Sequence, residues 1–368
     1  MKKARLLPID YVYKVKDEVL SPSNFNEGDL ILFSLITLVD IANVGIPREG
    51  EEGYTNLKDI MKNQKKLHKD EKYGLLLPLN INEFLEACAK SKRYQNLKFH
   101  SLFYKVDDKT QSTFLIVDLT KEISIVLFSG TDDTVVGWLE DLNLIVTQEI
   151  ECLTNAREYT NRNCTSDKAY ILFGHSKGGL ISNYVLLTAL PEVQDRVIMA
   201  YDLDGPGFNK EFIKKYKHNP ELDKLILICP RKSIIGRLFY QFKNATVVGS
   251  SAKTGLTQHN PATWYIGDDF SFVRCNKFSK RSTINDAVIK TYLDQLSKKD
   301  TETLVNSITK IANYGNAKTL SNLVVHPIKI IKGFFGLPKS ERKQVRTTPF
   351  KLIKIYFQVK REGIKEDE

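Results

Sequence analysis

Gly174-His175-Ser176-Lys177-Gly178 spells G-x-S-x-G, a pattern in which glycines let a strand turn sharply into a helix and leave a serine hydroxyl exposed at the turn. The flanks suit that geometry: AYILF (169–173) reads as a buried strand, GLISNYVLLTAL (179–190) reads as a helix, and Gly179 allows close packing. A serine so placed can attack an acyl carbon, provided a base takes its proton. Three histidines follow it. His218 lies in KKYKHNPELDK, a charged helix expected to face water, and His326 stands beside Pro327 in the C-terminal helical region. His259, in TQHNPATW, comes after the last apolar strand, NATVVGSS, where the base of this arrangement belongs. His175, the neighbour of Ser176, is expected to point away from it and to be structural.

The acid that orients the base follows by exclusion. Residues 224–267 contain no Asp or Glu, so the acid precedes the strand LILICP. Glu192, Asp195, Glu221 and Asp223 all precede strands, which places them at the sheet edge opposite the strand carboxyl ends, and Glu211 falls on a helix. Asp202 and Asp204 remain. Asp204, on the Gly205-Pro206-Gly207 exit turn, is the candidate acid, with Asp202 deeper and bracing that turn. Charge developing on the attacked carbonyl needs two hydrogen-bond donors. The backbone N–H of Lys177 is one, and Thr131, at the end of the SIVLF strand, offers the other.

The elements that must hold these residues can be read from periodicity. From about residue 109 the chain alternates short apolar runs with helical patterns: STFLIVDLT and EISIVLFSG as a hairpin, then TVVGWLEDLNLIVTQEI, AYILFGHS, KGGLISNYVLLTAL, RVIMAYDLDGPG, NKEFIKKYKH, KLILICP and NATVVGSS. Such alternation implies βαβ units, hence an α/β fold with a mostly parallel sheet flanked by helices. Three parts are expected: residues 1–108, mainly helical; an α/β-hydrolase core over 109–280; and a helical appendage over 281–368. Within the first part, 25–42 reads as a buried helix starting near Asn26 and Asp29, and 80–94 has helical spacing.

Composition narrows the partners. The chain has 368 residues, 42% of them apolar, and no stretch of the roughly 18 uninterrupted apolar residues that a membrane span needs. Charged residues interrupt the N-terminus before any signal-like apolar run, so a cytoplasmic location is expected. Cys88, Cys152, Cys164, Cys229 and Cys275 are odd in number and lack C-x-x-C spacing, which argues against a disulfide framework and a zinc site. No cofactor is expected. Between residues 318 and 361 eleven basic residues face one acid, Glu341, and this segment carries the chain's whole net charge of +10. Its lysines are interleaved with Ile, Leu, Val and Phe, a pattern suited to an anionic membrane surface rather than to nucleic acid. The competing account is a helical subdomain that packs its apolar face on the core and leaves its lysines in water.

FSGTDDTVVGWLEDLNL, GHSKGG, YDLDGPGF and HNPATW together resemble a bacterial family of unknown function with an α/β-hydrolase fold, distantly similar to class 3 lipases. The resemblance implies Ser176 as nucleophile, His259 as base and Thr131 at the oxyanion position, in a serine hydrolase acting on a lipid-like ester or thioester. Two positions depart from the lipase-like pattern. Ser129 stands where an arginine is usual, and Ser233, in PRKSIIG, stands where class 3 lipases place the acid. The alternative these departures raise is a catalytically weak or inactive hydrolase-fold scaffold.

Overall fold

The computed structural model describes residues 5–67, 81–132, 134–148, 150–165, 167–314, 318–319 and 327–362. Among these, eight strands form one sheet in sequential order: β1 (Thr55–Asn56), β2 (Lys98–Val106), β3 (Gln111–Asp118), β4 (Ile123–Phe128), β5 (Ala169–His175), β6 (Val197–Leu203), β7 (Leu225–Pro230) and β8 (Thr246–Val248). Strands β1 to β4 pair antiparallel and β4 to β8 parallel. The protein thus has an α/β fold built on a mostly parallel sheet.

Helices cover both faces, which is why the central strands are apolar without alternation. Ile125 and Leu127 of β4 and Phe173 of β5 face one core layer, shared with N-terminal helices α1 (Pro8–Val15), α2 (Leu30–Ile36), α3 (Leu57–Leu67) and α4 (Ile81–Lys90). Val126, Phe128 and Leu172 face the other, beneath α6 (Glu151–Asn163) and α7 (Lys177–Thr188), with α5 (Val135–Asn143) before them and α8 (Pro191–Gln194), α9 (Lys210–Tyr216) and α10 (Gly255–Gln258) after. Then follow α11 (Lys280–Asp294), α12 (Lys298–Asn313), α13 (Pro327–Gly336) and α14 (Lys339–Glu362). Ile284, Val288, Tyr292, Leu304 and Ile355 give these C-terminal helices a core of their own.

The region read as mainly helical holds α1 to α4, and it also contains β1 and β2; the pairing of β2 with β3 shifts register between His100 and Phe103, with Ser101 at φ 53°. This bulge breaks the two-residue alternation by which a half-buried strand is recognised. The helix expected over 25–42 is confined to a 3-10 turn, Glu27–Asp29, and α2. His326 lies outside the described residues.

Candidate active site

The carboxyl ends of β4, β5, β6 and β7 lie level, because Phe128 pairs with Gly174, His175 with Leu203 and Leu203 with Ile228. Ser176 is the first residue beyond β5. Its φ of 58° and ψ of −131° put it in a conformation that L-residues avoid, a cost of order 1–3 kcal/mol that surrounding contacts must offset. Glycine makes those contacts possible. A Cβ on Gly174 would lie 1.9 Å from the Gly178 carbonyl, and one on Gly178 would lie 2.2 Å from the Phe128 oxygen. The Ser176 N–H donates to the Leu203 carbonyl (3.0 Å), which ties the elbow to β6.

Asp204 follows β6, also with positive φ (52°), and is fully buried. Its Oδ2 accepts from His259 Nδ1 at 2.7 Å, while its Oδ1 accepts from the Ser233 hydroxyl and from the Gly236 N–H (3.2 Å). With Nδ1–H committed to the carboxylate, the Nε2 of His259 is the nitrogen free to act as a base. Asp202 does something different. Its Oδ1 accepts from the Gly205 N–H (2.7 Å) and its Oδ2 from Asn183 Nδ2 (2.7 Å), so it braces the turn. Burial pushes its carboxyl up to about 7, and the charge of Asp204 adds to that.

His175 does not point away from the site. Its ring lies 4.5 Å from that of His259, centroid to centroid, and its Nε2 is 2.8 Å from the His259 carbonyl oxygen. Strand alternation stops applying where the left-handed Ser176 redirects the chain. Burial, reinforced by the like charge of His259, lowers the His175 imidazole well below its usual range, so a neutral ring donating Nε2–H to that carbonyl fits the geometry. His175 therefore holds the loop that carries His259.

Gly130 and Thr131 run beside the elbow: a Cβ on Gly130 would be 3.3 Å from the Ser176 Cβ. The Thr131 hydroxyl donates to Asp141 Oδ2 at 2.5 Å, which orients the residue. Lys177, at the start of α7, has an N–H with no helical carbonyl to bond. Its side chain runs inward, where Nζ donates to Glu140 Oε2 (3.0 Å) and the Gln111 carbonyl (3.1 Å) and lies 3.9 Å from Asp141 Oδ1. Burial opposes the Lys177 charge, but Cys152, Asp141 and Glu140 outweigh it and hold the ammonium above its ordinary range. Burial also pushes the Asp141 carboxyl up to about 6, opposed by Lys177 and Thr131.

A cavity of about 410 Å³ opens onto this constellation, with Ser176, His175, His259 and Thr131 on one wall. The remaining lining is largely apolar, including Leu38, Trp138, Ile145 and Phe239. The C-terminal helices complete it: Ile289 and Tyr292 come from α11, Leu304 from α12 and Leu352 from α14. Sequence patterns give no sign of this closure, since those helices are 100 or more residues from Ser176. The Val135 N–H donates to the Lys318 carbonyl (2.9 Å), linking the C-terminal region to the start of α5.

A family model described as Mbeg1-like matches residues 88–310. No curated protein matches the chain. Among solved structures, one titled "Crystal structure of M37 lipase" is similar over 64% of this chain and 89% of its own, at 12% identity and a TM-score of 0.39.

Proposed function

The chain belongs to the Mbeg1-like family, and we propose that it is a serine hydrolase that cleaves a lipid-like ester or thioester through an acyl-enzyme on Ser176. The observation that carries this reading is the hydrogen bond from His259 Nδ1 to a buried Asp204 at the mouth of an apolar cavity shared with an elbow serine. His259 Nε2 takes the Ser176 proton as Oγ attacks the acyl carbon, then returns it to the leaving oxygen or sulfur. Water repeats the sequence in reverse and frees the acid. The N–H groups of Lys177 and Thr131 stabilise the oxyanion, assisted by the N-terminal dipole of α7. The apolar wall accepts a hydrocarbon chain.

Ser233, at the position that raised the scaffold alternative, supports this reading, because it donates to Asp204 rather than leaving the acid position empty. A fluorophosphonate probe tests the proposal. The protein should label, and Ser176→Ala should abolish the label with little change in Tm. His259→Ala should lower ester hydrolysis by several orders of magnitude, and Asp204→Asn by about 10⁴. Folded protein that fails to label, or labels equally as Ser176→Ala, would refute the assignment.

A further inference from the structure

Helix α13 exposes Ile328, Ile331 and Phe335, and α14 exposes Phe350, Ile353 and Phe357, each between 53% and 68% accessible. In both helices the spacing is i, i+3, i+7, which places each trio on one helical face. In both, lysines directly follow the first two members: Lys329 and Lys332 on α13, Lys351 and Lys354 on α14. These are not the packing faces. Gly333 of α13 lies against Ile311 of α12, while Ile355 of α14 is buried with Leu352, Tyr356 and Val359 in the C-terminal core. Each helix therefore carries a second apolar strip, bordered by cations.

Three of these lysines keep an uncompensated charge among the described residues. Glu341, the one acid between residues 318 and 361, is engaged with Lys310 and Ser307 of α12. Among the described residues, Lys332, Lys351 and Lys354 pair with no carboxylate. We infer that the exposed strips of α13 and α14 dock on the surface of an anionic lipid bilayer, the Ile and Phe side chains entering the acyl boundary and the lysines meeting acidic headgroups. A second copy of the chain is a poor occupant, because a two-fold interface would set this basic face against itself. Among the described residues no helix is long and apolar enough to cross a membrane, so the contact is peripheral. On the acyl-hydrolase reading the contact gains a purpose. The helix that presents Phe350 and Ile353 also lines the cavity with Leu352, so docking brings the cavity's roof to the lipid.

Binding is measured on full-length Ser176→Ala protein by co-sedimentation with equimolar phosphatidylglycerol–phosphatidylcholine vesicles and with pure phosphatidylcholine vesicles. Loss of catalysis then has no bearing on the result, and the probe experiment judges the hydrolase reading separately. Anionic vesicles should bind, neutral ones far less, and high salt should release the protein. Lys332→Gln/Lys351→Gln/Lys354→Gln should weaken partitioning by about a hundredfold. Phe350→Ser/Ile353→Ser/Phe357→Ser should weaken it by about tenfold or more. All six positions are exposed, and an unchanged Tm verifies that each variant folds. Equal binding to both vesicle types, absence of binding, or unaltered binding by both variants overturns the inference. So does a preference for an oligonucleotide, or a dimer that the apolar variant dissolves while vesicles are ignored.

Discussion

Arg93 and Lys177 are both buried cations held by carboxylates, yet their surroundings differ. Arg93 grips Asp29 through Nε and Nη2, both at 2.7 Å, and the hydroxyls of Tyr11 and Tyr94 and the Asn26 N–H occupy the rest of that carboxylate. This network ties α1 to the 3-10 turn before α2 and to the segment that follows α4. Lys177 meets Glu140, which is similarly saturated by Thr110, Gln111 and Cys152. Beside it, however, Asp141 spends one oxygen on Thr131 and turns the other toward Lys177 at the cavity wall. A buried ion pair is therefore no sign of function in itself. What separates the two is a neighbouring cavity and a residue of the pair's network that can reach it. The Lys177 cluster also places a cation behind the Thr131 loop, in a chain where Ser129 stands in place of the arginine usual in the lipase-like motif.

The largest effect should come from Lys177→Met, which leaves Glu140 buried without its cation. We expect about 3–5 kcal/mol of lost stability and, per folded molecule, roughly a hundredfold lower kcat as the Thr131 loop loses its support. Full kcat in the folded fraction would erase the distinction drawn above. Arg93→Met should cost a similar 3–5 kcal/mol but leave kcat and KM of the folded protein alone, measured by denaturant titration alongside ester hydrolysis. A kcat loss matching that of Lys177→Met would show that both clusters act only through stability.

A smaller and more specific effect concerns Asp202. Its folded pKa, about 7, lies above its ordinary value of 3.8, so the folded state holds a proton that the unfolded chain has released. That difference makes its contribution fall as pH rises between those values. Asp202→Asn mimics the protonated form, and Asn183 can turn its unpaired Oδ1 toward the new amide. Relative to the parent, the variant should gain about 2 kcal/mol between pH 5 and pH 7. Thermal melts across that range would show the two curves separating, and parallel curves would mean that Asp202 is ionised throughout.

The elbow was legible because it is local: Gly174, Ser176 and Gly178 sit within five residues, and their steric needs appear as a pattern in the chain. His259 and the pair Asp202 and Asp204 were reachable by chain order and by the absence of acids over 224–267. Which aspartate meets His259 is a contact across 55 positions, settled by the left-handed turn at Asp204 and the packing of Asp202 against Gly205. The support of His259 by His175, of Asp204 by Ser233, and of Thr131 by Asp141 left no trace in spacing. Periodicity likewise marked α13 and α14 as amphipathic without telling which apolar residues pack and which face outward, since a helix with two apolar strips has one period for both. Local sterics write themselves into adjacent residues. Hydrogen bonds between distant segments depend on how strands and helices are stacked, and only the tertiary structure sets that.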